Sequence, residues 1–316
     1  MTSSDLRLRG GPSAAPGRPA VPAYAKNRPR SRQRAGWLFM APSLLILGVF
    51  VLWPILQSLW YSLHDWTIGA TTQPWVGLDN YTKLFGDPQF RRALLNTVVI
   101  TVASVAVLVA VGLGLALALT AENIVSRVIR SAFFFPTVIS LTTVGMVWRF
   151  LLDPDIGLVG GVTGALGLGT VNWLQSTTLA LPTIIFVNIW KSAGFVMIVL
   201  VAGLKAIPGE FYEAAALDGA KRGQLLRYVT LPALRPTMLF VTFIVTIQSL
   251  QLFDLVYVMT GGGPLFTTDT LVTKLYRDGF TNYQTGYAAA TSWVLFLVVV
   301  LVSAFQLRIF RYNDVD

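Results

Sequence analysis

Long uninterrupted apolar runs alternate along the chain with short polar segments. Six such runs, at residues 37–61, 93–119, 131–151, 178–204, 238–258 and 287–307, each reach the ~20 residues a helix needs to cross a bilayer. Lipid cannot satisfy free backbone groups, and the runs are too long and continuous for barrel strands, so helices are the spanning form they imply. The pattern therefore predicts an all-α integral membrane protein with six transmembrane helices. An external loop over 62–92 separates the first from a five-span core over 93–307. The first run is too long for a signal-peptide core and no small-residue cleavage pattern follows it. Pro42, Pro54, Pro136 and Pro182 kink helices or mark their ends. Gly112, Gly114, Ala116 and Ala118 are small enough to let helices approach closely.

Composition agrees with this pattern. Hydrophobic residues make up 54% of the 316 and charged residues 12%, outside the balance of a soluble globular chain. With no Cys and a single His, His64, disulfides, iron–sulfur ligation and thiolate or multi-histidine zinc sites are excluded. The formal charge of +9 is segregated rather than spread. Residues 1–36 carry eight basic side chains against Asp5 alone among Gly, Pro, Ser and Ala, which predicts a disordered basic tail. That tail, the 120–130 loop, the 205–237 segment and the short tail 308–316 together hold 17 Lys and Arg, while the opposite loops hold five. Cytoplasmic loops are the Lys- and Arg-rich ones, so both termini are expected in the cytoplasm of a multi-pass protein. Topology thus accounts for the charge, and the surface it meets is membrane lipid rather than nucleic acid.

The sequence contains no G-x-x-x-x-G-K-[ST] phosphate loop, no H-E-x-x-H and no G-x-S-x-G. No catalytic residue, metal site or bound cofactor is expected. The glycine-rich stretch GLVGGVTGALGLG, Gly157 to Gly169, follows no strand and reads as a flexible external loop rather than a dinucleotide site.

One polar segment between two apolar runs, EFYEAAALDGAKRGQLLRYVTLP from Glu210 to Pro232, is too short to be a domain. Pro208 can open a helix because its missing N–H costs nothing in the first turn, and Glu210 and Glu213 suit the positive end of that helix. Gly219 is placed to end it. A basic second helix runs from Lys221 to Tyr228, and Leu231-Pro232 stops it. The result is a helical hairpin over 207–232, which by itself could be a tight connection or an interfacial anchor.

The same segment resembles the E-A-A-x3-G-x9-I-x-L-P motif of the permease subunits of bacterial ABC importers, through Glu213, Ala214, Ala215, Gly219, Leu231 and Pro232, with Val229 in place of the usual Ile. The resemblance extends to VGLDNYTKLFGDPQF with ALLNT, FFFPTVIS with WRFLLDPDIG, GLKAIPGEFYEAA, and YVMTGGGP, which are similar to the carbohydrate-importer permeases of the maltose and glycerol-3-phosphate type. It implies that the hairpin is a coupling helix docked on an ATP-hydrolysing subunit, with Asp218 beside Glu213 as charges offered to that partner. It also implies a heterodimer with a second permease, a dimer of ATP-binding subunits and an extracytoplasmic substrate-binding protein, in the bacterial inner membrane. ATP is then held by the partner subunit. The larger maltose-system subunit that carries the sugar site has further N-terminal spans and a large external insertion that are not matched here.

Charged groups inside a span are costly and face protein or water. Lys191 lies about 13 residues, or roughly 20 Å, from the outer end of the fourth run, too deep for easy snorkelling. The fifth run carries Gln248, Ser249, Gln251 and Asp254, with the two glutamines three apart on one helix face. Amides and hydroxyls suit sugar hydroxyls, and an aromatic such as Trp190 or Phe195 can stack on a sugar ring. By resemblance, the sugar-contacting positions of the maltose permease fall on Lys191, Ser192, Phe195, Gln248, Ser249 and Leu252, where Lys191 and Leu252 depart from the residue types of that family. Lys191 and Asp254 fit equally an interface with the second permease, the Gln248 and Ser249 groups fit interhelical hydrogen bonds, and Trp190 fits interior packing. The turn Gly261-Gly262-Gly263-Pro264 suits contact with a docked binding protein, or is a tight exit turn.

These features predict a six-span permease subunit of a carbohydrate-type ABC importer. An ion-gradient-driven secondary carrier and a membrane receptor that binds a cytoplasmic partner without transport are the rivals.

Overall fold

A computed structural model describes residues 30–167 and 169–312. The predicted tail 1–36 lies outside the described residues up to position 29, and the tail 308–316 does so from 313. Every regular element among the described residues is helical. The chain divides into two compact units between Ile55 and Leu56.

The first unit contains helix α1, Arg30–Leu47, a wide π-type turn over Gly48–Leu52, and the start of helix α2, Trp53–Ser62. Trp37, Phe39 and Phe50 are exposed along it. In the wide turn the Trp53 N–H donates to the Gly48 carbonyl five residues back. Pro54 follows at once, and a proline ring clashes with the carbonyl four residues before it and offers no donor. Widening the preceding turn opens that crowded position.

The second unit carries α3 (Asp79–Gly86), α4 (Pro88–Ala118), α5 (Ile124–Val138), α6 (Leu141–Leu151), α7 (Leu158–Ala165), α8 (Ala180–Lys205), α9 (Gly209–Leu217), α10 (Arg222–Gln224), α11 (Leu231–Leu250), α12 (Asp254–Met259), α13 (Leu271–Tyr276) and α14 (Thr285–Tyr312). Among the described residues, five helical stretches, Trp37–Ser62 being the first, are long and apolar enough to cross a membrane, and the bent pair α5–α6 makes a sixth if it counts as one span.

Helix α8 is central, with α4, α5 and α11 packed against it. Three glycines set those approaches: a Cβ on Gly112 of α4 would lie 2.3 Å from Val196, one on Gly194 2.0 Å from the Phe133 carbonyl oxygen of α5, and one on Gly203 2.6 Å from Thr237 of α11. Leu108, Ala116, Met197, Leu200, Leu234 and Val245 fill the resulting core. Ala116 is buried there with Gly112, whereas Gly114 and Ala118 of the predicted small-residue set are exposed.

Several boundaries differ from the sequence expectation, for local reasons. The third span, predicted over 131–151 with a kink or end at Pro136, starts earlier and is broken in two: α5 begins at Ile124, where the Asn123 side chain accepts from the Ser126 N–H, and its axis turns by 99° into α6 just after Pro136. The fifth span, predicted over 238–258, is interrupted at Gln251–Phe253 between α11 and α12. The glycine-rich stretch expected as a loop contains helix α7. Gly157 and Gly160 let that helix sit against backbone carbonyls of residues 150–154, where a Cβ would come within 2.4 Å and 2.7 Å. Leu231-Pro232 does not stop the second hairpin helix. It opens α11, after a wide turn over Leu225–Thr230 in which the Leu231 N–H reaches back to the Leu226 carbonyl, the same arrangement that precedes Pro54.

Polar contacts that the apolar pattern does not announce hold α13 and α14 against the start of α4. The Lys274 ammonium lies 2.9 Å from both Asp87 and Asp278, and the Tyr287 hydroxyl donates to Asp87 at 3.0 Å. Asn96 donates to the carbonyls of Thr267 and Asp269, and the buried Asp269 carboxylate pairs with Arg277.

Candidate functional site

The polar hairpin presents most of its side chains to solvent. Helix α9 begins after Pro208 with Glu210 in its first turn, and no residue in it is buried. It ends where Gly219 adopts a left-handed φ of +76°. The Gly219 N–H donates to Ala216 and the Ala220 N–H to Ala215, so the chain reverses with its last carbonyls satisfied. Glu213, Ala214, Asp218 and Gly219 are exposed, and Ala215, Leu231 and Pro232 are half-buried. The Tyr212 hydroxyl meets Thr230 at 3.1 Å and ties α9 to the wide turn before α11. Sequence reasoning missed three exposed apolar side chains on this hairpin: Phe211, Leu217 at 90% exposure and Tyr228. Their signal was available, since large apolar residues in a polar segment have no core to fill.

The nine residues read as a substrate pathway separate into three kinds. Gln248 and Gln251 are exposed near the end of α11, and Trp190 is partly exposed with its ring edge-on to Trp148 at 5.4 Å. Ser249 and Leu252 point into the chain's own interior, at 3% and 4% exposure, and Phe195 packs against the core around α8.

Lys191, Ser192 and Asp254 are half-buried. The Lys191 ammonium donates to the Thr137 carbonyl at 3.3 Å, and the Thr137 hydroxyl donates back to the Lys191 carbonyl at 3.0 Å. Thr137 lies in the last turn of α5, the negative end of that helix, which a cation stabilises. Across the bend, the Thr142 hydroxyl of α6 donates to Asp254 Oδ1 at 3.3 Å, and Asp254 opens α12, where an acid suits the positive end. The two charges thus fasten opposite sides of the 99° bend rather than each other.

The Gly261–Pro264 turn is built tightly. Gly261 and Gly262 take φ values of +62° and +88°, and a Cβ on the buried Gly262 would lie 2.8 Å from Asp269. The Thr268 hydroxyl donates to the Gly263 carbonyl at 2.7 Å and meets the Thr260 hydroxyl at 2.8 Å. Gly261 is exposed, and just after the turn so are Leu265 and Phe266, which the sequence reading did not single out.

A cavity of about 300 Å³ opens beside this turn, between the end of α6, the segment before α8 and the end of α12. Its polar lining comes from Arg149, Asp153, Asn172, Trp173, Gln175 and Thr260. A second, apolar cavity of about 500 Å³ lies between Trp148, Val159, Leu179 and Phe186. None of the nine pathway residues lines either one.

A helical membrane protein with broken spans, an exposed hairpin between two of them and a braced glycine turn fits a membrane transport subunit. Residues 110–313 match the family of binding-protein-dependent transport system inner membrane components, and the chain belongs to that family. It is 35% identical over 280 residues to the probable ABC transporter permease protein YurN of Bacillus subtilis, covering 87% of this chain and 95% of that protein. It is 32% identical over 278 residues to the sulfoquinovosyl glycerol transport system permease protein SmoG of Agrobacterium fabrum, covering 88% and 90%. Among solved structures it superposes, with a TM-score of 0.77 and 25% identity over 87% of this chain and 93% of the other, on a chain from the bacterial alginate ABC transporter in complex with an alginate pentasaccharide-bound periplasmic protein. Membership of a binding-protein-dependent family favours the importer over both the ion-gradient carrier and the receptor.

Proposed function

We propose that this chain is the permease subunit of an ATP-driven importer for a sugar or sugar-like solute, pairing with a second permease subunit to enclose the pathway. The observation that carries this reading is the hairpin: Glu213, Asp218 and the exposed Phe211, Leu217 and Tyr228 form a mixed charged and apolar surface on a segment with no core of its own. Such a surface suits a protein partner. That partner is a dimer of ATP-binding subunits, which holds the nucleotide. This chain neither binds nor hydrolyses it. The segregation of Lys and Arg supports a cytoplasmic location for the hairpin and both termini.

The solute passes by the exposed Trp190 of α8 and the exposed Gln248 and Gln251 near the end of α11, while Lys191 and Asp254 set the shape of the α5–α6 bend. An extracytoplasmic binding protein docks at the Gly261–Pro264 turn and the adjacent Leu265 and Phe266. The sugar named for the transport system of the 32% identical relative and the saccharide-loaded protein in the structural neighbour support the solute class.

Coupling is tested by placing Arg at Glu213 or Gly219 in the complete transporter. Either variant is expected to abolish uptake while ATP hydrolysis continues or the ATP-binding subunit dissociates. Uptake at the normal rate in both would overturn the assignment of the hairpin.

A further inference from the structure

Four aromatic rings that fill no core meet where the fifth span ends. Phe253 caps α12 and Tyr257 lies one turn further on, with the two rings stacked at 5.1 Å. Tyr276 and Phe280, again four positions apart and so on one helix face, stack at 5.2 Å. The pairs join through Tyr276, which lies 5.1 Å from Phe253 and 5.2 Å from Tyr257. Helix α12 turns Leu255, Val256 and Met259 into the packed interior, whereas none of the four aromatic residues belongs to a hydrophobic core. Tyr257 is 48% and Phe280 63% exposed, and a recess of about 240 Å³ opens beside Phe280, Tyr61 and Ile68. A ligand therefore has access to these rings from outside the chain.

The surroundings of the rings are those a sugar requires. A pyranose has an apolar C–H face and a rim of hydroxyls, so it needs an aromatic surface with polar groups at its edge. The Tyr257 and Tyr276 hydroxyls bond to each other, and since each carries one proton and two lone pairs, the pair keeps a donor and acceptors to spare. Gln251, two residues before Phe253 in the break between α11 and α12, is exposed, as is Gln248 one turn earlier. All four rings are aromatic, where aliphatic side chains would meet lipid tails equally well.

We propose that Phe253, Tyr257, Tyr276 and Phe280 form a stacking platform on which a saccharide rests before it reaches Gln251 and Gln248, with the exposed rings against the C–H face of a sugar unit and the tyrosine hydroxyls at its rim. The platform continues the solute path from the two glutamines along the segment that follows α11. The proposal rests on the importer reading for the saccharide class and for the side of the membrane on which the rings lie. The platform itself is defined by the contacts among the rings and by their exposure.

The absence of cysteine gives a direct test. In the full chain, purified with its associated subunits, Thr281→Cys places a single thiol beside Phe280 at an exposed position. Its reaction rate with a maleimide is followed with and without millimolar maltose, N,N′-diacetylchitobiose or galacturonate. At least one of the three is expected to slow labelling about threefold or more. Adding Phe280→Leu, which keeps apolar bulk but removes the ring, should abolish that protection, and Phe280→Tyr should retain it. Neither change should alter the rate without sugar or lower the thermal midpoint, because the side chain is largely exposed. Failure of all three sugars to protect overturns the proposal, as does protection that survives Phe280→Leu. A thiol that is unreactive in the complex but reacts once the subunits are separated assigns the rings to contact with a partner subunit and also overturns it. Uptake of the same three sugars by cells that carry or lack this chain separates the readings: chain-dependent uptake without protection leaves the importer standing and removes only the platform.

Discussion

At the scale of the residue, single atoms decide how the helices meet. A methyl on Gly194 would overlap the Phe133 carbonyl oxygen at 2.0 Å, and backbone cannot move aside as the end of a flexible side chain can. Gly194→Ala is therefore expected to lower stability by at least the ~1–3 kcal/mol typical of overpacking, read as a reduced thermal midpoint of the purified protein. Gly114→Ala, two residues from the tightly packed Gly112 but with nothing within 4 Å, should cost nothing, since alanine is the better helix former. A similar loss in both variants would mean that helix propensity rather than contact sets the effect. The sequence showed that Gly112 and Gly114 are small, but not which of them faces a neighbour. Lys191 was legible in the same partial way. Its depth marked it as a charge that must be satisfied, yet its acceptor, Thr137, is 54 positions earlier in the chain and no spacing rule connects the two.

At the scale of the element, the breaks in the helices carry the specificity of the fold. Pro136 foretold a disturbance in the third span, but the size of the bend depends on what fastens its two ends, Lys191 on one side and Asp254 on the other. Asp254→Asn keeps an acceptor for the Thr142 hydroxyl and should transport at nearly the normal rate. Asp254→Leu, which leaves that hydroxyl without its acceptor, should reduce uptake severalfold, and equal rates for the two variants would remove Asp254 from the support of the bend. Outside the spans, the capping position before α4 titrates. Burial alone would raise the Asp87 carboxyl, but hydrogen bonds from Lys274, the Gln89 N–H and Tyr287 outweigh it and hold the carboxyl below the ordinary 3.8. A group with a depressed value in the folded state contributes stability at pH above 3.8 and loses that contribution as pH falls through the lowered value. The difference in thermal midpoint between the native protein and Asp87→Asn should thus be constant near neutrality and shrink below about pH 4. A difference that stays the same down to pH 3 would show that Asp87 acts without its charge.

At the scale of the whole molecule, the apolar periodicity made the helical class and the spans legible, and the E-A-A segment made the hairpin legible, because both are local in sequence. What stayed hidden joins distant positions. Trp173 lines a cavity together with Met259 and Thr260, residues that no sequence spacing relates to it, and the Lys274 cluster is invisible as a motif because Asp87 and Tyr287 stand 200 positions apart. That separation bears on how the protein is made. Chains are synthesised from the N-terminus and pair as segments emerge, so Asp87 enters the membrane region long before Lys274 and Tyr287 exist. The last helix, α14, which carries Tyr287 and packs on α3, therefore acts as a completion lock: a chain ending at residue 284 should still form α4 packed on α8, but its 62–92 segment should be cut several times faster by protease than in the full-length protein. Equal cutting rates would show that the lock is dispensable. If it holds, a cell could tell finished copies from nascent ones by that segment alone, before any partner subunit arrives.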